Sequence, residues 1–158
     1  MGRVLLLPEL LTFRTQFRTR RQRVVVTNGV FDIIHRGHVE YLTKAKALGD
    51  ILIVGMNTDA SVRRIKGTKR PIVRQDDRAF IVANLLPVDY VCLFEEDTPY
   101  ELIRAIVPDV LVKGADWDIE KIVGKDIVEA AGGKVMTIEF VHDRSTTNII
   151  ERILERLS

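Results

Sequence analysis

Five short apolar runs divide this chain, and amphipathic stretches fill the intervals between them. The runs are Val24–Thr27, Ile51–Met56, Tyr90–Phe94, Val110–Lys113 and Val135–Phe140. They are nearly continuous in apolar character, which suits strands buried on both sides. Strands alternating with helical patterns predict a parallel sheet covered by helices on both faces. The punctuation agrees. Thr98-Pro99-Tyr100-Glu101 offers a cap, a proline at the first helical position and a capping-box glutamate. Gly132-Gly133 predicts a left-handed helix end. A last helix is expected to start within Asp143–Thr147, with Ile149, Ile150, Ile153, Leu154 and Leu157 on its apolar face.

A chain of 158 residues suits one core. Residues 1–22 are expected to form a helical extension, because Leu6, Leu10, Phe13 and Phe17 recur at helical spacing. Residues 23–158 would then be the main domain. The extension ends in Arg14, Arg18, Arg20, Arg21 and Arg23, read as a solvated basic end. The net charge of +2 gives no case for a nucleic-acid partner. No apolar run approaches the roughly 20 residues needed to cross a bilayer, so no membrane partner is expected. Cys92 is the single cysteine, which fits a reducing compartment and a cytoplasmic location.

The chemistry-bearing stretch is TNGVFDIIHRGHVEYL, residues 27–42, just past the first strand. His35 and His38 lie three residues apart, which puts both imidazoles on one face of a helix starting there. Zinc is a poor fit. It needs three or four protein ligands, and His142 and Cys92 are far away in sequence. A phosphate site fits better, because open parallel sheets bind ligands at the carboxyl ends of their strands. A helix start there offers free N–H groups and a positive dipole end. Gly37 leaves room for a bulky anion. An ordinary pair of hydrogen-bonded histidines remains the competing reading. Neither a Walker loop nor a GxGxxG fingerprint is present.

His35-Arg36-Gly37-His38 resembles the HxGH signature of the nucleotidyltransferase superfamily, and Thr27–Asp32 resembles its T-x-G-x-F-D lead-in. Over about residues 22–157 the likeness is to the adenylyltransferase domain of ADP-heptose synthases. It is carried by the runs Asn57–Arg64, Lys66-Gly67, Arg70-Pro71, Phe94–Pro99, Pro108–Asp116 and Ser145–Ile150. The resemblance implies an α/β, Rossmann-like fold with a five-stranded parallel sheet, helices on both faces and an N-terminal helix. The implied reaction joins ATP and D-glycero-D-manno-heptose 1-phosphate to give ADP-heptose and pyrophosphate, with Mg2+ accompanying ATP and no protein side chain ligating metal. No kinase domain is visible in the sequence, so the expectation is a stand-alone enzyme working beside a separate heptose kinase. Relatives often form homodimers.

The resemblance also implies site roles. His35, His38 and Lys66 are the expected catalytic residues. Thr27, Asn28, Gly29, Phe31, His35, His38, Arg78, Lys113, Gly114, Asp116, Ser145, Thr146 and Thr147 are expected at the nucleotide. Asp32, Arg63, Arg64 and Lys66 are expected at the acceptor. Each has a plainer alternative: Asp32 a turn cap, Arg78 a surface ion pair, Ser145 a helix cap, Trp117 simple packing. Glycerol-3-phosphate cytidylyltransferases carry an arginine where Phe140 stands here, which favours ATP. Transfer of a cytidylyl or adenylyl group to another small phosphate, such as glycerol 3-phosphate, is the alternative activity. A non-catalytic nucleotide-binding scaffold is the alternative of a different class.

Overall fold

A computed structural model describes residues 1–139 and 145–158. Phe140 and His142, each weighed above, lie outside the described residues, as do Asp143 and Arg144. The chain runs β1 (Arg3–Val4), α1 (Leu7–Thr19), β2 (Val24–Gly29), α2 (Arg36–Lys46), β3 (Ile51–Asn57), α3 (Asp59–Lys66) and α4 (Gln75–Ala83). It continues through β4 (Tyr90–Phe94), α5 (Tyr100–Ile106), β5 (Val110–Gly114), α6 (Lys125–Ala130), β6 (Lys134–Ile138) and α7 (Thr146–Leu157), with one 3-10 turn at Ile119–Lys121.

All six strands join one sheet in the order β1-β4-β3-β2-β5-β6, and every pairing is parallel. The expected five strands are present, and β1 makes a sixth. It is a two-residue exposed strand, too short to show any pattern in sequence. Backbone bonds from Gly2, Arg3 and Leu5 to Ala83, Asp89 and Val91 hold it on the β4 edge. Strand order reverses at β2: β3 and β4 lie to one side, β5 and β6 to the other. The crevice between the carboxyl ends of β2 and β5 is therefore the topological switch point, where open α/β sheets hold ligands.

The two sheet faces carry separate cores, as the continuous apolar runs require. Val25, Leu52, Val54 and Val91 point to one face and pack with Tyr41, Leu42 and Ala45 of α2 and Ala79, Val82 and Ala83 of α4. Val24, Val26, Ile53 and Cys92 point to the other, against α1, α5 and Val128 of α6. Leu10 and Phe17 of α1 are buried there, so the N-terminal segment shares the core of the sheet.

Two helix ends differ in outcome. The α6 end follows the glycine signal. Gly132 takes φ +81, its N–H reaches Glu129, and Gly133 N–H reaches Val128, a Schellman closure. The α5 start does not follow the expected box. The helix begins at Tyr100, Pro99 stands at the cap, and no side chain caps it. At the other end of the chain α7 is amphipathic, but Ile153, Leu154 and Leu157 are exposed.

Candidate active site

The loop after β2 leads straight into α2, and His35 is the N-cap residue of that helix in extended conformation. His38 follows one turn later. Their rings stack with centroids 3.9 Å apart and 27° between planes. The His35 N–H donates to His38 Nδ1 at 3.4 Å. With Nδ1 accepting, the neutral ring carries its proton on Nε2, free to donate outward. Burial first, then the neighbouring His35, pushes the His38 pKa down to about 4, so the ring is neutral at pH 7.

Phe31 fixes the pair from beneath. Its backbone takes φ +49, unusual for a bulky residue, and its ring lies 5.2 Å from that of His38. A Cβ at Gly29 would come within 2.9 Å of the Phe31 ring, so this position requires glycine for the ring to tuck in. Strained backbone of this kind clusters at functional sites.

A cleft of about 150 Å³ opens beside the pair, lined from β2 by Asn28, Gly29, Val30 and Phe31, from α2 by His38 and Tyr41, and from β5 by Lys113, Gly114, Asp116 and Trp117. Asn28 Oδ1 is buried in the wall with no hydrogen-bond partner among the described residues. Such an acceptor is costly unless a ligand or water donates to it. Thr27 lies one step deeper, its hydroxyl 2.7 Å from the Tyr41 hydroxyl. Lys113 Nζ sits 5.1 Å over the Trp117 ring. Burial pushes the lysine down to about 8, against an opposing pull from Asp116.

The start of α7 closes onto the same loop. Ser145 Oγ accepts from Asn148 N–H, and Thr146 Oγ1 donates to the Ile33 carbonyl at 3.2 Å. Thr147 is exposed. This helix start therefore stands beside the loop that leads to His35.

Two expected ligand residues have other work. Asp32 is 3% exposed. Its carboxylate accepts from Arg70 Nε at 2.7 Å and from the N–H groups of Ile72 and Val73. The backbone bonds of Val73 and Ile72, then Arg70, hold its pKa below the usual carboxylate range even though burial opposes them most strongly. Asp32 clamps the loop between α3 and α4 and does not present its oxygens to an acceptor. Arg78 is fully buried. It donates to the carbonyls of Val73, Val30 and Asn57 and pairs with Asp59 at 2.7 Å. Every guanidinium nitrogen is engaged, so Arg78 braces the β2 loop to α3 and α4 rather than reaching a phosphate. The expected surface pair and the expected ligand are both replaced by an internal brace.

The basic end of α3 divides as well. Arg64 pairs with Asp97 at 2.7 Å and donates to the Glu95 carbonyl. Arg63 and Lys66 are exposed, with Gly67 at φ +94 just beyond. Tyr41 was not foreseen as a lining residue. It lies three residues after His38 on the same helix face, a spacing that pointed to it.

A family model described as cytidylyltransferase-like matches residues 26–152, which spans the crevice and both edges of the cleft. The chain belongs to the cytidylyltransferase-like family. The HxGH pair of this nucleotidyltransferase family is thus the stacked pair at the switch point. Among its relatives, a protein named bifunctional protein HldE from Trichlorobacter lovleyi is 58% identical over 139 residues, covering 88% of this chain and 28% of the relative. A protein of the same name from Wolinella succinogenes is 56% identical, with 87% and 28% coverage. The chain thus spans about 28% of the length of these relatives. A crystal structure titled as a lipopolysaccharide core biosynthesis protein from Thermoplasma volcanium aligns at TM-score 0.62 and 29% identity, over 76% of this chain and 97% of that one. Pantoate-beta-alanine ligase from Francisella tularensis aligns at TM-score 0.63 over 98% of this chain and 80% of its own, but at 14% identity it speaks for the fold alone.

Proposed function

We propose that this chain transfers the adenylyl group of ATP to D-glycero-D-manno-heptose 1-phosphate, forming ADP-heptose and pyrophosphate. The observation that carries the reading is the stacked His35–His38 pair at the switch point, beside the cleft between β2, α2 and β5. The identity to the HldE relatives and the resemblance to ADP-heptose synthases support this choice of substrate. A phosphate oxygen of the sugar phosphate attacks the α-phosphorus of ATP, and the bond to the pyrophosphate oxygen breaks. A phosphate monoester is already nucleophilic at neutral pH, so positioning and charge stabilisation carry the catalysis.

Each residue has a stated part. His38 donates Nε2–H to a non-bridging phosphate oxygen as charge builds there, and stacked His35 orients it and donates beside it. Asn28 Oδ1 accepts from a nucleotide hydroxyl or amine. Lys113 neutralises phosphate or sugar-phosphate charge from the β5 side. Thr146, Ser145 and Thr147 present the start of α7 to the triphosphate. Lys66, with Arg63 beside it, closes over the acceptor phosphate. The cleft is smaller than the roughly 300 Å³ of a common small-molecule site, so it holds part of a nucleotide and leaves the phosphates at the open rim. Among the described residues no His, Cys, Asp and Glu cluster suits a metal. Mg2+ fits this arrangement as an ion carried by the triphosphate with its own waters. A sugar-kinase partner, as a domain or as another chain, and a homodimer remain part of the proposal. Among the described residues no helix is long and apolar enough to cross a membrane.

Pyrophosphate release, screened with ATP and CTP against heptose 1-phosphate and glycerol 3-phosphate, tests this reading. Turnover is expected with ATP and the heptose phosphate. Equal or better kcat/KM with CTP, or with glycerol 3-phosphate, removes the assignment.

A further inference from the structure

A second cavity, larger than the cleft beside the histidines, lies at the opposite edge of the sheet. It has about 440 Å³ and sits where β2, β5 and β6 begin, under the end of α1. Its lining includes Arg14, Arg18, Arg21, Arg23 and Lys134, against one carboxylate, Asp109. That carboxylate is already committed: it accepts from Val24 N–H at 2.7 Å and from Arg14 at 3.3 Å. Arg14 is equally committed, donating to the carbonyls of Ile106 and Val107 as well. Arg18, Arg21, Arg23 and Lys134 are left around the cavity with no side-chain acceptor among the described contacts. Gln22 Oε1 is buried in the same wall with no hydrogen-bond partner among the described residues.

The concentration of charge is held in place. Arg21 takes φ +54, fixed by its N–H bond to Arg18 and by Gln22 N–H on Phe17. The turn therefore sets Arg21 and Arg23 on either side of Gln22 at the cavity mouth. Four like charges around one concavity repel each other, and a multivalent anion relieves that repulsion. Arginine forks match phosphate oxygens two at a time. Gln22 supports the same ligand: an amide turned about its last bond presents N–H₂ to an anion, and unturned it accepts from a hydroxyl or water on it. The cavity volume lies within the usual range for small-molecule sites. A compact hollow with a net charge of only +2 on the whole chain fits a small ligand better than a nucleic-acid track.

We propose that this amino-edge cavity is a second anion site, taking a small polyanion with several phosphate groups. The ligand would bridge α1 and its following turn to the start of β6. It does not depend on the transfer reaction proposed above.

Titration calorimetry with inorganic tripolyphosphate tests it, using protein that carries His35→Ala and His38→Ala to weaken the other phosphate site. One equivalent is expected to bind, with affinity falling at higher salt. Adding Arg18→Ser, Arg21→Ser and Arg23→Ser is expected to weaken binding at least about 30-fold, consistent with loss of several charge-assisted contacts. These three side chains are exposed, and circular dichroism verifies the fold of the variant. Lys134→Glu, on the other wall, should weaken binding by itself. Hydrogen exchange should slow on binding around residues 20–23 and 131–134. Undiminished affinity in the arginine variant, absence of binding to the double histidine variant, or protection confined to residues 28–38 overturns the proposal.

Discussion

The carboxyl and amino edges of one sheet treat positive charge in opposite ways. At the carboxyl edge the donors are few and desolvated. His38 is held neutral, with its pKa near 4, and Lys113 is brought down to about 8. At the amino edge the cations are numerous, and Arg18, Arg21, Arg23 and Lys134 are exposed. Desolvated, oriented donors are worth most where charge develops in a transition state, because they need no reorganisation. Exposed charges attract an anion but are screened by salt over about 10 Å at 0.1 M. The same fold thus separates a place suited to bond-making from a place suited only to holding.

The contrast depends on a braced carboxyl edge, and the largest expected effect comes from removing that brace. Arg78→Met strands the carbonyls of Val30, Val73 and Asn57 and leaves Asp59 without its partner. A loss of about 3–5 kcal/mol in urea unfolding is expected. A surface-type cost under about 0.5 kcal/mol would mean that Arg78 is not a brace.

The histidines come next. His35→Ala and His38→Ala should each lower turnover at least about 100-fold, close to 3 kcal/mol, with the fold intact by circular dichroism. Near-wild-type rates in both variants would leave the carboxyl edge no more catalytic than the amino edge. Lys66→Ala should reduce kcat/KM by about 1.5–3 kcal/mol, the value of a charge-assisted contact, and leave stability unchanged. Unaltered kinetics would return Lys66 to the exposed surface.

Lys113 sharpens the comparison through pH. Its folded pKa of about 8 lies below the ordinary lysine value, so folding favours the neutral form. Stability therefore rises with pH between about 8 and 10.4, while the positive charge in the free enzyme is lost as pH passes 8. The kcat/KM for ATP reports the free enzyme and should decline about tenfold above that pH. The decline should vanish in Lys113→Met; its persistence there would assign the titration to another group. The smallest effect belongs to the other edge. Arg18→Ser should leave both turnover and stability within about 0.5 kcal/mol, measured by pyrophosphate release and urea unfolding.

Strand positions were legible because a buried parallel strand needs an unbroken apolar run, and the chain has five of them. The two-residue β1 was not, since its only credentials are backbone bonds to residues some 80 positions away. The histidine pair was legible because spacing on a helix start fixes a shared face. Asp32 and Arg78 were not, because sequence shows a charge without showing whether backbone groups surround it. Asp32 meets two N–H groups some 40 residues on, and Arg78 meets three carbonyls, two of them more than 20 residues away in sequence. The α5 start failed for a simpler reason: a proline can stand at the cap itself and displace the expected box.

The placement of α1 bears on how this polypeptide can be cut. The family match starts at residue 26, after the first helix has ended. Yet Leu5, Leu10 and Phe17 are buried among side chains of β2, β4 and α5, and β1 covers the outer edge of β4. A fragment trimmed to the span that the family model matches would expose that apolar face and an unpaired strand edge, the two features that invite chains to stick together. The span that the family model matches is therefore shorter than the stretch that shares this core.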